Sequence, residues 1–187
     1  MSRDPFRRRY GSHRGFIRLT LAHLQVAAGR AFEKRPDPAV VRRLVFVCHG
    51  NICRSAFAHV AAERAGYRVA SFGLSTGSGS PAHPPAVAAA HTLGVDLDAH
   101  RTTRVQDFVA EEGDLLLAME VRQLGRLAAD PRLAHLPRLL LGSFARPRRP
   151  HLHDPYRLDP AYMDASLRVI DDAVRRLCAA YPGARSS

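Results

Sequence analysis

Four short apolar, β-rich runs separated by helical stretches constrain this 187-residue chain more than any other feature. The runs cover residues 44–47, 68–72, 114–118 and 138–141. Between them the pattern turns helical at residues 55–65, 85–93 and 120–129, stopped in turn by Gly66, Gly94 and Asp130-Pro131. A last helix over residues 160–180 places Met163, Leu167, Ile170, Val174 and Leu177 on one stripe. Strands and helices alternating in this order specify an α/β fold: one domain with a four-stranded parallel sheet and helices on both faces. Ligands of such sheets bind beyond the carboxyl ends of the strands. There the first strand runs into Cys48-His-Gly-Asn-Ile-Cys-Arg-Ser55, so chemistry is expected in the first loop.

Phosphate needs several donors converging on its oxygens. A loop that ends at a helix N-terminus supplies backbone N–H groups and the positive end of the helix dipole. Gly50 is expected to permit a close backbone approach or a positive φ. Asn51 tolerates the left-handed region and can tie the loop together through its side chain. Arg54 offers a planar fork that grips two phosphate oxygens, which a lysine would not do. Thiols at helix N-termini beside cations ionise more readily, and the thiolate is the attacking form. Cys48 is therefore the candidate nucleophile, with Ser55 placed to cap the helix or stabilise the sulfur. Spacing alone carries little weight, because three Cys and 27 Arg produce a chance Cys-x5-Arg roughly 0.4 times in a chain of this length. The preceding strand, the following helix, Gly50 and Asn51 supply the weight. A structural cysteine at a strand end would leave them unexplained.

The run Cys48-His-Gly-Asn-Ile-Cys-Arg-Ser55 resembles the signature of the low-molecular-weight protein tyrosine phosphatases, as does Asp154-Pro-Tyr156 much later in the chain. The similarity extends over about residues 43–181 and includes Ser71-Phe-Gly-Leu-Ser75, Gly94-Val-Asp-Leu97 with His100, residues 115–120, and Leu140-Leu-Gly-Ser143. It is similar in particular to the bacterial enzymes paired with tyrosine kinases of exopolysaccharide export. The resemblance implies that Cys48 forms a phosphocysteine and that Arg54 binds the transferring phosphoryl group. Asp154 would protonate the departing phenolate and then help water hydrolyse the intermediate. The resemblance puts His49, Gly50, Asn51, Ile52, Cys53 and Ser55 in the phosphate-binding loop and Tyr156 in the cleft wall. Asn51, Ser55, Ser75 and His100 would form the hydrogen-bonded quartet that shapes the loop. Cys53 would pair reversibly with Cys48 to protect it from over-oxidation. The implied substrate is a phosphotyrosine protein, a membrane tyrosine kinase among the candidates, in the cytoplasm and with no metal or cofactor.

Several residues depart from that pattern. His49 replaces an apolar residue, Ala56 replaces a proline, and Thr76-Gly-Ser-Gly79 lacks the aromatic wall of the eukaryotic enzymes. Ile52 matches the tyrosine enzymes, whereas the related arginine phosphatases tend to carry threonine there. An arsenate-reductase-like thiol enzyme would need further thiols near residues 80–90, and the remaining cysteine is the distant Cys178. A non-catalytic phosphate-binding regulator would leave the complete Cys, Arg and Asp set without a use.

The formal charge of +11 is concentrated at the head, where residues 1–36 hold nine Lys/Arg against Asp4 and Glu33. Residues 1–38 read as a basic extension and linker ahead of a phosphatase domain at 39–187. Residues 1–13 are expected to be disordered. An amphipathic helix is expected from about Arg14 to Lys34, with Ile17, Leu21, Leu24, Ala28 and Phe32 on one face, broken by Pro36-Asp-Pro38. Such a head suits peripheral membrane contact through residues 7–35, or docking to a membrane-bound kinase. The alternative is a helix packed on the catalytic body. Arg18, His23 and Gln25 interrupt its apolar part, which argues against a signal peptide, and a mitochondrial transit peptide is the weaker reading. No apolar run approaches the roughly 18 residues of a membrane span, and no nucleic-acid motif accompanies the charge. Three cysteines without a framework spacing point to a reduced compartment.

Overall fold

The computed structural model describes residues 4–29 and 35–186. Strand β1 (Arg43–Cys48) buries every residue after Arg43 because it lies inside a sheet covered on both faces. It pairs in parallel with β2 (Val69–Gly73) on one side and β3 (Asp114–Ala118) on the other, and β3 pairs with β4 (Arg138–Leu140). The order β2-β1-β3-β4 is that of a doubly wound sheet. Its topological switch point falls between the carboxyl ends of β1 and β3.

The two-residue period of the strands sorts the core into two layers. Leu44, Phe46, Leu115 and Leu117 meet Phe57 and Ala58 of α3 (Arg54–Arg64), Ala86 and Ala90 of α4 (Pro84–His91), and the apolar stripe of α6 (Pro160–Ala180). On the opposite face Val45, Val47, Leu116 and Ala118 pack on Leu124 and Leu127 of α5 (Val121–Ala129). The expected elements are all present. The fourth strand stops at Leu140, and a 3-10 turn at Leu141–Ser143 follows.

The head differs from expectation. Residues expected to be disordered form a short helix (Pro5–Tyr10), whose N-terminus Asp4 caps by accepting a hydrogen bond from the Phe6 amide at 2.9 Å. Gly11, at φ 74°, turns the chain into a second helix (His13–Ala27). That helix ends earlier than expected, and Phe32 of the anticipated stripe lies outside the described residues. Ile17, Leu21 and Leu24 are more than half exposed; Gly15 and Ala22 face the body instead. The small residues dock because a close helix approach needs the absence of large side chains. The head therefore packs on the body and still presents an apolar face to solvent. Among the described residues no helix is long and apolar enough to cross a membrane.

Candidate active site

The carboxyl end of β1 delivers Cys48 into a tight loop, and α3 begins at Arg54. The Asn51 amide donates to Cys48 Sγ at 3.2 Å, and the Ser55 hydroxyl lies 2.9 Å from the same sulfur. Both contacts suit a sulfur carrying negative charge. Asn51, at φ 54°, supplies the left-handed turn. Gly50 does not have a positive φ, and a β-carbon there would touch only Ile52. Of the two uses expected for Gly50, the positive φ is thus corrected: Asn51 takes the unusual backbone. Gly73 at the end of β2 is the sterically required one, because a β-carbon would lie 3.0 Å from the His49 carbonyl and 3.1 Å from the Asn51 amide.

Asn51 is the hub of the loop. Its Nδ2 donates to Ser55 Oγ at 2.9 Å and to Ser71 Oγ at 3.0 Å, and its Oδ1 accepts from the Thr103 amide at 2.9 Å. His100 Nε2 bonds the Asn51 carbonyl at 2.9 Å. Asn51, Ser55 and His100 come together as expected, but Ser75 does not join them. Its hydroxyl is exposed and accepts from Arg126 at 3.3 Å, four residues beyond the position that Ser71 fills on β2. Ser71 was not expected in the site; the signal that could have found it is a polar residue inside an apolar strand, which needs a partner. Ser71 is also bonded by His59 at 3.1 Å; burial and neighbouring His100 push the His59 pKa down to about 4.

Arg54 is almost wholly buried, and anions hold it from two sides. Its Nη1 donates to Glu120 at 2.8 Å and to the Leu152 carbonyl at 2.8 Å, while Nη2 meets Asp154 at 2.7 Å. Burial works against its charge, but Asp154, Cys48 and Glu120 outweigh burial and raise the pKa above the usual arginine value. Arg54 Nε has no protein partner, which leaves a donor for a phosphate oxygen in the cavity that Arg54 lines. Glu120 was not singled out from the sequence. It follows the third apolar run, at the carboxyl end of the strand beside β1, and that position is the signal that could have found it. Burial alone would raise the Glu120 pKa; Arg54 and then Arg122 overcome that and hold it near 2.

Because the folded value lies below the ordinary 4.5, this stabilisation is present above pH 4.5 and is lost as pH falls toward 2. Glu120→Ala leaves Arg54 with a lost anchor inside the protein. Urea denaturation at pH 7 is expected to show a loss of about 3–5 kcal/mol, and the gap from the parent chain should narrow near pH 2.

Cys48, His49, Gly50, Ile52, Cys53 and Arg54 line one side of a cavity of about 240 Å³, with Ser75, Thr76, Asp154 and Tyr156 completing it. His49 is exposed at the mouth. The Tyr156 ring, 40% exposed, packs on His83 at a centroid distance of 4.9 Å, so His83 supports that side of the cavity. All three cysteines are free. Burial, with Cys48 and Asp154 adding to it, pushes the Cys53 thiol up, so Cys53 keeps its proton beside the loop. Cys178 is buried on α6, away from this cavity. The cavity therefore assembles a sulfur, a bound guanidinium, a carboxyl group and an aromatic wall around one space of about 240 Å³.

A family model described as low molecular weight phosphotyrosine protein phosphatase matches residues 43–183. EpsP of Ralstonia solanacearum, a probable low molecular weight protein-tyrosine-phosphatase, is 35% identical over 82 residues, which are 43% of this chain and 57% of that protein. The chain thus spans little more than half the length of that relative. Wzb of Salmonella typhi, a low molecular weight protein-tyrosine-phosphatase, is 28% identical over 136 residues, 72% of this chain and 90% of Wzb. Among solved structures, the tyrosine phosphatase AmsI of Erwinia amylovora superposes with a TM-score of 0.66 at 25% identity, covering 82% of this chain and 99% of AmsI.

Proposed function

Because the chain belongs to the low molecular weight phosphotyrosine protein phosphatase family, we propose that it hydrolyses phosphotyrosine on proteins through a phosphocysteine at Cys48. The observation that carries this reading is the meeting of Cys48, Arg54 and Asp154 in one cavity bounded by Tyr156. A phosphate monoester entering the loop is held by backbone N–H groups, the start of α3 and the Arg54 fork, and so takes over the guanidinium that now pairs with Asp154. Asp154, displaced from the guanidinium by the phosphate, then stands beside the leaving oxygen as the general acid of this reading. Cys48 Sγ then attacks phosphorus. The S–P bond forms, the P–O bond to the ring breaks, and Asp154 gives its proton to the departing oxygen. In the second step Asp154 takes a proton from water, water oxygen bonds phosphorus, and the S–P bond breaks to release inorganic phosphate and the thiolate. Ser55, 2.9 Å from the sulfur, steadies that thiolate as leaving group.

The catalytic unit in this reading is residues 39–187, with residues 1–38 as an added basic extension. The partner is a tyrosine kinase or another protein of an exopolysaccharide pathway in the cytoplasm. The exposed Phe16, Ile17, Leu21 and Leu24, flanked by Arg14 and Arg18, form the face through which the extension would touch an anionic membrane. A phosphopeptide panel tests the substrate class. Release of phosphate from phosphotyrosine peptides is expected, with little from phosphoserine, phosphothreonine or phosphoarginine peptides and none with Cys48→Ser. Preference for phosphoarginine would overturn the reading.

A further inference from the structure

The helical head lies outside the stretch matched by the family, which begins at residue 43, yet it is docked on the segment that carries Asp154. Three attachments hold it there. The Ser12 hydroxyl bonds His153 Nε2 at 3.2 Å and also caps α2 (His13–Ala27) by accepting from the Gly15 amide at 3.1 Å. Arg149 donates to the Arg9 carbonyl at 3.1 Å, at the end of α1 (Pro5–Tyr10). Further along α2, buried Ala22 and exposed Arg18 border His151 and Glu120.

The fit is close. A β-carbon on Gly15 would come within 2.7 Å of the His153 ring, and one on Gly11 within 2.7 Å of the Tyr162 ring. Tyr162 in turn donates to the His153 carbonyl at 3.4 Å. Residues 151–154 are thus pinned from both sides. Arg54 holds the Leu152 carbonyl and the Asp154 carboxylate from within, while Ser12 of the head bonds His153 from outside. Asp154 itself is about one-third exposed in a segment without regular structure, so its position depends on these attachments.

We propose that the α1–α2 hairpin is a built-in clamp on the acid-bearing loop, in which Ser12 acts through His153 as a positioning residue for Asp154. The role rests on the phosphatase reading above. A general acid matters most when the leaving group is a poor one, and a displacement of about 1 Å costs up to about 100-fold in a reaction that depends on position. Releasing the clamp should therefore slow the ester whose phenolate needs a proton and spare the ester whose phenolate leaves unaided.

The test compares kcat/KM of the full-length chain for phenyl phosphate and 2,4-dinitrophenyl phosphate in four variants. Ser12→Ala removes the bond and Ser12→Thr keeps it. Ala22→Leu wedges α2 away from the body, and His153→Phe keeps a ring without the hydrogen bond. Ser12→Ala, Ala22→Leu and His153→Phe are each expected to lose about tenfold on phenyl phosphate and less than about twofold on the dinitrophenyl ester. Inhibition by inorganic phosphate should be unchanged, and Ser12→Thr should match the parent. A far-UV circular dichroism spectrum matching that of the parent serves as each variant's folding control. Equal losses on both esters across the folded variants, or no loss on either, would overturn the clamp while leaving the phosphatase reading intact. A parent chain inactive on both esters would overturn the phosphatase reading and the clamp with it.

Discussion

Cys48→Ser is expected to lower the turnover of p-nitrophenyl phosphate by at least about 10⁴-fold, because covalent catalysis cannot proceed when the attacking atom is replaced by an un-ionised hydroxyl. The substitution changes one atom at a site held by the Asn51 amide and Ser55, so the loop itself should persist. Phosphate binding, which depends on backbone amides and Arg54, should survive and can be read by phosphate-induced thermal stabilisation. Loss of activity with retained phosphate binding separates a missing nucleophile from a collapsed loop. Activity within about tenfold of the parent would remove Cys48 from the reaction.

Asp154→Asn carries the second large expected effect, about 10²–10⁴-fold on phenyl phosphate, the usual range for losing a general acid. The amide can neither donate a proton to the phenolate nor receive one from water, so both chemical steps suffer. An ester with an activated leaving group escapes the first penalty only, and kcat/KM for 2,4-dinitrophenyl phosphate should fall far less than kcat. The substitution also removes the 2.7 Å ion pair with Arg54. Asp154 therefore competes with incoming phosphate in the parent chain, and KM for the activated ester should fall or stay level in the variant. An equal fall in kcat/KM for both esters would mean that Asp154 shapes the site without transferring a proton.

How far the sequence disclosed these features depends on how local the physics is. The strands were legible because apolar runs bounded by turn residues persist whatever surrounds them, and the loop because Cys48, Gly50, Asn51 and Arg54 are contiguous. Ser71 and Glu120 were harder: each belongs to the site only because β2 and β3 lie on either side of β1, a fact of sheet order that no short window contains. Ser75 looked right as a serine in a polar loop, but strand β2 aims the inward position at Ser71. Gly50 looked conformationally special, yet the turn uses Asn51 instead. The apolar stripe is what marks the head as helical, and its described members Ile17, Leu21 and Leu24 face solvent. Docking runs through Gly11, Ser12, Gly15 and Ala22, whose small side chains leave almost no trace in hydropathy. Composition showed that the head was distinctive, but only the placement of His153 shows where it attaches.

The measurement closest to the central claim is rapid acid quenching of the chain during turnover of an aryl phosphate, followed by intact-mass and peptide mapping at low pH. A single added phosphoryl group on Cys48 is expected, more abundant in Asp154→Asn when it is fed the activated ester and absent in Cys48→Ser. Steady turnover with no adduct, or with the phosphoryl group on any other residue, would contradict the account.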